Sequence, residues 1–284
     1  TAMALASSAL TVSQAMDAIK ANPSFAGGVS VNMGIGKSST SSSSTYQSDT
    51  SKASSVVAGG DILISATGAK DASHLTIQGS QIEAKGIVTL KADNAITLQA
   101  AQSSSTFDQT THSSANSAGV AIDSNASIGA TSSFSSGQGE THAMDQTFAN
   151  THVNGQTVNI QSGGDTSLEG AVISANQITA NIGGNLAITS KQDTSVYQSN
   201  EKSRGISTVV PIGTGTYGGS ITNSKTDISS QYANVSEQSA VSANDGGFTI
   251  HVTGNTTLQG GSITSSQKAV DTQNNSFSTN GHIE

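Results

Sequence analysis

No cysteine occurs in the 284 residues, so neither disulfides nor thiolate metal sites hold this chain together. Lysine and arginine number 11 against 19 acidic residues, for a formal net charge of -8. Scattered cations in an acidic chain exclude a broad grip on nucleic acid, which needs clustered Lys and Arg. No apolar run of about 18 residues is present, so no segment reads as a membrane-spanning helix. Thr1 to Lys20 lack the basic flank and solid apolar block of a signal peptide, so an exported chain is expected to carry its signal upstream. Leu, Ile, Val and Phe together make up a little under a fifth of the residues. That scarcity suggests disorder when charge is high, but here only 11% of side chains are charged. A thin solenoid needs only a narrow apolar stripe per coil, because each coil buries its few apolar residues against its neighbours.

What the chain does have is repetition. Thr76-Ile77-Gln78-Gly79-Ser80-Gln81-Ile82 returns as Ser167-Leu168-Glu169-Gly170-Ala171-Val172-Ile173 and as Thr257-Leu258-Gln259-Gly260-Gly261-Ser262-Ile263, at offsets of 91 and 90 residues. The match extends both ways. Ile62 and Ile64 answer to Val158 and Ile160 and then to Phe248 and Ile250; Ile87 aligns with Ile178. Asn94 to Thr97 aligns with Asn185 to Thr189 if one residue is inserted. Ile77, Gly79, Ile82, Leu168, Gly170, Ile173, Leu258, Gly260 and Ile263 are thus the residues expected to define the repeat.

Within each copy apolar and polar residues alternate in short runs, as in Val88/Leu90, Leu186/Ile188 and Phe248/Ile250/Val252, the period-two mark of strands with one buried face. Gly59-Gly60, Gly163-Gly164 and Gly183-Gly184-Asn185 punctuate them with turn residues. The strands follow too closely for crossover helices, so a coiled stack of strands remains. Each copy holds about two coils of about 20 residues, giving five or six rungs at ~4.8 Å spacing.

Polar stretches separate the copies at 106–150 and 196–244, with a shorter relative at 27–56. Structureless loops of such length are uncommon in compact proteins. Each contains a Gly followed by an apolar run, as in Gly119-Val120-Ala121-Ile122, and aromatics at its margins: Tyr46, Phe107, Phe148, Tyr197, Tyr232 and Phe277. They read as excursions that leave the stack and return as long hairpins, with Ser38 to Ser44 the least structured part. Val12, Met16 and Ile19 at helical spacing, followed by Asn22-Pro23, predict a short N-terminal helix. The expected division is a helical cap or connector at 1–26 and repeats at 27–105, 106–195 and 196–284 in one continuous solenoid.

Leu168-Glu169-Gly170, Ile173-Ser174-Ala175, Gly183-Gly184-Asn185-Leu186 and Lys191-Gln192-Asp193 resemble the haemagglutinin repeat of filamentous-haemagglutinin-like exoproteins of two-partner secretion. The resemblance covers nearly all of the chain from Gly27 onward. It implies an all-β, right-handed parallel β-helix, secretion through an outer-membrane transporter, and display on a Gram-negative cell surface. In the contact-dependent growth inhibition branch it implies a segment that helps deliver a toxin at the target cell's outer membrane. The other reading is an adhesin stalk that binds host or matrix glycans. Truncated coil ends are expected to favour self-association.

Enzymes on β-helices place carboxylates on adjacent coils so that they converge on one groove. Here Glu83 aligns with Ser174 and Thr264, and Glu169 with Gln78 and Gln259, so acids do not persist in columns. Asp61, Asp93, Asp165 and Asp193 are single acids near turns. His74, His112, His142, His152, His251 and His282 lack paired spacing for a metal. Gly213 to Gly218 matches a GxGxxG string without the strand and helix that make it a phosphate cradle. Thr76, Ser167 and Thr257 make a repeated hydroxyl column, a residue type that simply suits solvent-facing strands. The sequence therefore predicts no enzyme, cofactor or metal, but a structural or binding segment.

Overall fold

A computed structural model describes residues 31–122, 127–213 and 217–284; the expected N-terminal helix lies outside the described residues. The chain forms two compact units, each assembled from three stretches. The larger comprises Gln47–Thr106, Met144–Val196 and Gln231–Glu284, and the described part of the smaller falls within 31–46, 107–143 and 197–230.

Among the described residues the order begins with β1 (Val31–Asp49), which lies in the smaller unit as far as Tyr46. The larger unit then opens with β2 (Ser54–Ala58), β3 (Ile62–Ala66) and β4 (Leu75–Gln78), followed by β5 (Ser80–Ala84), β6 (Ile87–Ala92) and β7 (Ile96–Gln99). Two long strands, β8 (Ala101–Ile122) and β9 (Ile128–Ala149), precede β10 (Thr151–Ser162), β11 (Thr166–Glu169), β12 (Ala171–Ile182) and β13 (Leu186–Thr189). A second long pair, β14 (Asp193–Pro211) and β15 (Gly218–Asn234), precedes β16 (Ala240–Val252), β17 (Thr256–Gln259), β18 (Ser262–Thr264), α1 (Gln267–Asp271) and β19 (Ser276–Thr279).

The larger unit is built from two parallel sheets. One follows the order β18-β16-β12-β10-β5-β2, with β6, β3 and β19 pairing beside it, and the other follows β17-β13-β11-β7-β4. Pairing is in register from rung to rung. Val56 lies against Ile82, Ile82 against Val153, Val153 against Ile173, Ile173 against Val241, and Val241 against Ile263. In the second sheet Ile77, Leu98, Leu168, Ile188 and Leu258 form the corresponding column. The step from Thr151 to its partner Ala171 is 20 residues, whereas Ile96 to Thr166 spans 70 because β8 and β9 intervene. Each 90-residue copy is therefore two rungs plus one excursion.

Alternation inside these strands is what builds the core. Val88, Leu90, Val153, Val158, Ile173, Ile178 and Ile188 are buried, while their odd-step neighbours face outward. Stacking like on like lets each rung cover the last, so a narrow apolar stripe suffices. Burial fades at the ends: Val56 is 48% exposed, whereas Ile82, one rung in, is 1% exposed. Most polar side chains that enter the interior pair locally, while the buried Thr256 Oγ1 has no hydrogen-bond partner. Ser162 and Thr166 share a buried hydroxyl–hydroxyl hydrogen bond of 2.8 Å, and Ser162 also donates to the Gly164 carbonyl at 3.0 Å.

The turn between the two sheets carries its own column. Asp165 Oδ1 accepts the Asn185 amide at 2.7 Å, Asn185 Oδ1 accepts the Asn255 amide at 2.8 Å, and Asn255 Oδ1 accepts the His282 amide at 2.8 Å. Glycine precedes this column for a steric reason: a Cβ on Gly183 would sit 2.3 Å from the Gly163 carbonyl oxygen.

In the smaller unit the strand order is β1-β8-β9-β14-β15. Its strands are antiparallel, as side-chain partners show. Ser117 pairs with Ser133 while Asp108 pairs with His142, so numbers rise along β8 as they fall along β9. Ser132–Thr208 with Thr141–Ser199, and Ser207–Ser220 across the last pair, continue the pattern.

Three expectations change. Ser38 to Ser44 are not irregular but lie within β1, where Gln109 Nε2 donates to Ser42 Oγ at 3.0 Å. Pairing with a neighbouring strand overrides the weak local preference of a serine run. Ile87 does not align with Ile178: Val88 does, through Val158, and Ile87 is 40% exposed. A one-residue slip in a strand exchanges its two faces. Ile96 reaches Leu186 through Thr166, so no residue is inserted between those turns. The sequence reading also missed α1, whose Ser266 caps the helix by accepting from the Ala269 amide at 3.2 Å.

Candidate functional site

The short-strand sheet presents two outward columns. One runs Thr76, Thr97, Ser167, Ala187, Thr257, so Ala187 interrupts the expected hydroxyl row. The other runs Gln78, Gln99, Glu169, Thr189, with a single acid among amides and a hydroxyl. Lys191 Nζ donates to Glu169 Oε2 at 2.8 Å. That bond, partly opposed by burial, holds the Glu169 carboxyl below the ordinary glutamate range, with smaller help from the Lys191 charge and the Ser167 hydroxyl. Asp245 is lowered likewise, first by the Ser266 hydroxyl and then by Lys268.

The residues expected to define the repeat fall at the corner between the sheets. Gly79, Gly170 and Gly260 adopt φ of +50°, +72° and +63°, the region that disfavours a side chain. At Gly170 a Cβ would also come within 2.6 Å of Ala100 Cβ. Ile77, Ile82, Leu168 and Ile173 are buried beside the corner, and Leu258 and Ile263 are partly buried at the last rungs.

Histidines are dispersed. His142 Nδ1 meets Asp108 Oδ1 at 2.5 Å, His152 Nε2 meets Glu237 Oε1 at 2.9 Å, and His251 Nδ1 meets Ser278 Oγ at 2.9 Å. No group of three or more His, Asp or Glu is placed to hold a metal among the described residues. Asp165 serves the turn column and Asp61 Oδ1 accepts the Ile87 amide at 2.8 Å. Asp193 accepts the Phe148 amide at 2.7 Å and Asp93 accepts the Gly68 amide at 2.6 Å, so all four turn acids satisfy backbone donors. Of the GxGxxG string, Thr214 to Thr216 lie outside the described residues, and Gly213 has φ of +101°.

The smaller unit has two unlike faces. Ser42, Thr111, Ser117, Ser133, Ser207 and Ser220 share one, where cross-strand hydroxyls meet at 2.7 Å (Ser117–Ser133) and 2.8 Å (Ser207–Ser220). A shallow groove of about 360 Å³ on this face is lined by Thr111, Ser113, Thr141, Glu201 and Ser224. The opposite face carries exposed Ile35, Val120, Phe134, Ile206, Val210 and Ile221. Sequence reading noticed the Gly-then-apolar runs but not their convergence, because only the strand register puts them side by side.

Residues 33–206 match the family model for the Hemagglutinin repeat. The chain belongs to the haemagglutinin-repeat family. It is 33% identical over 249 residues to a tRNA nuclease CdiA of Escherichia coli strain NC101, covering 85% of this chain and 8% of that protein. It is 32% identical over 246 residues to a deoxyribonuclease CdiA of Dickeya dadantii, covering 85% of this chain and 7% of that protein. A deoxyribonuclease CdiA of Yersinia pseudotuberculosis is 32% identical over 222 residues, covering 76% of this chain and 20% of that protein. The haemagglutinin-repeat chain thus spans under a tenth of the length of the first two relatives. No solved structure matches it. Among the described residues no helix is long and apolar enough to cross a membrane.

Proposed function

We propose that this chain is a structural and binding segment of a secreted, surface-displayed exoprotein that helps present a toxin at the outer membrane of a target cell. The observation that carries the reading is the in-register parallel pairing at 20-residue steps, lengthened to 70 by the excursions, in a chain similar to proteins named as CdiA toxins. We read the two parallel sheets as walls of a right-handed parallel β-helix, the hand that βαβ-like parallel connections almost always take. Main-chain hydrogen bonds from rung to rung give resistance to unfolding outside the cell without disulfides. The nuclease activity in the relatives' names would then reside elsewhere in those longer proteins, and this segment is not an enzyme. Its partners are the outer-membrane transporter of the secreting cell and the target-cell surface. The corner residues Gly79, Gly170 and Gly260, with Ile77, Ile82, Leu168, Ile173, Leu258 and Ile263, set the repeat.

Deleting residues 31–284 from the exported parent tests this. Surface display, followed with an antibody to another region, is expected to persist while inhibition of co-cultured target cells falls at least tenfold. Undiminished inhibition would sink the reading. Loss of adhesion to glycan-coated beads without any effect on target growth would favour the adhesin stalk.

A further inference from the structure

We propose that the apolar face of the five-stranded antiparallel sheet is a docking surface for an anionic lipid bilayer, rimmed by its own cations; this rests on the surface reading above and names its contact. The strand register assembles the face. Ser132 opposite Thr208 sets Phe134 opposite Ile206 and Ala130 opposite Val210, two residues on along each strand. Ser207 opposite Ser220 sets Ile206 opposite Ile221 on the reverse side from those serines. The close approach of Gly119 to Gly34 sets Ile35 beside Ala118, next to Val120.

These side chains are open to solvent: Ile221 is 82% exposed, Ile35 66%, Phe134 54% and Ile206 51%. Two exposed apolar rows, Phe134–Ile206–Ile221 and Val120–Val210, flank the hydrogen-bonded Ser132–Thr208 pair on this side of the sheet, and an exposed apolar cluster of this kind marks an interaction surface. Charge then selects the occupant. On the same face exposed Lys37 lies level with Phe134, opposite Asn116; Arg204, opposite Ser136, is one step further along, and Lys202 and Lys225, opposite one another, are two steps further. Lys225 is paired with Asp227 at 2.5 Å. Among the described residues of this face, acids come beyond this belt, at Asp108, Glu140 and Asp227. In a chain whose net charge is -8, an apolar tip followed by a cationic belt is a local reversal of sign. Apolar residues entering the acyl boundary, with Lys and Arg at headgroup level, is the arrangement of interfacial membrane binders. The reverse face is mainly serine, threonine and glycine; its exposed Tyr46, Tyr197 and Ile228 lie beyond the level of the cations, away from the Phe134 row.

The sequence has no tryptophan, so a single introduced indole reports its own surroundings. Phe134→Trp and Ser135→Trp place it on opposite faces of one strand. Each full chain is mixed with phosphatidylcholine vesicles with or without one-quarter phosphatidylglycerol, part of the phosphatidylcholine being brominated. Phe134→Trp is expected to shift to shorter emission wavelength and to be quenched by the brominated lipid in the anionic vesicles, while Ser135→Trp stays in water. Lys202→Gln with Arg204→Gln, in the Phe134→Trp background, is expected to weaken this binding roughly 25-fold, about fivefold per cation. No response at position 134, equal quenching at 134 and 135, or unchanged binding after removal of both cations would each overturn the proposal. If the indole does not respond while deletion of 31–284 still abolishes target-cell inhibition, the lipid assignment alone fails.

Discussion

Asn185 Oδ1 accepts the main-chain amide of Asn255, 70 residues away in sequence, at 2.8 Å, while the amide of Asn185 donates to Asp165 at 2.7 Å. Asn185 and Asn255 therefore each cap one rung and are capped by another. Replacing Asn185 by Ala leaves the Asn255 amide without its acceptor, at an expected cost of about 1 kcal/mol. Urea denaturation should show the loss. Amide exchange should localise it, with faster exchange at Asn255 than at Thr166.

Ile173 is fully buried between Val153 and Val241. Ile173→Ala leaves a cavity in the middle of the column and is expected to cost about 2–5 kcal/mol. Val56→Ala, in the same column but at the exposed first rung, should cost far less. A comparable loss at both positions would show that burial does not grade along the stack.

At Gly170 conformation and space both exclude a side chain, so Gly170→Ala is expected to cost about 1–3 kcal/mol. At Gly59 an added methyl would meet nothing within 4 Å, and the backbone there is not in the positive-φ region. Gly59→Ala should be neutral or stabilising by up to about 1 kcal/mol. Thermal melts of the pair distinguish corner glycines from loop glycines.

Lys191 depresses the Glu169 carboxyl, so the contribution of this pair is present above the ordinary glutamate value near 4.5 and is lost as pH falls through the lower folded-state value. Both groups are partly solvated, so the effect is small. Lys191→Met should lower the melting temperature slightly at pH 7, and the two proteins should converge toward pH 2. A difference that widens in acid would contradict the assigned pairing.

Much of the larger unit was readable from sequence because its signals are local and repeated. Alternation at Val88/Leu90 and Leu186/Ile188 marks buried strand faces, and the copies around Gly79, Gly170 and Gly260 mark one corner visited three times. The neighbouring corners on alternate rungs were not recognised as copies, since Leu98 and Ile188 carry the same column without the glycine motif. Register within a run was less secure: Ile87 and Val88 are equally apolar, and only pairing chooses between them. In the smaller unit the serine-rich β1 has almost no local strand signal, and its order comes from β8. The apolar face of that unit was illegible for the same reason, as its residues are spread over five strands.

The hydrogen bonds of the larger unit run from rung to rung, so a pull along that direction meets them one rung at a time instead of all at once. Tension would then be relieved in steps. A plain 20-residue rung frees roughly 65–70 Å of chain, and a rung with its excursion, 70 residues, frees roughly 230–250 Å. Once the excursion strands also part from their five-stranded sheet, their length would let a tethered molecule extend while the remaining rungs stay folded.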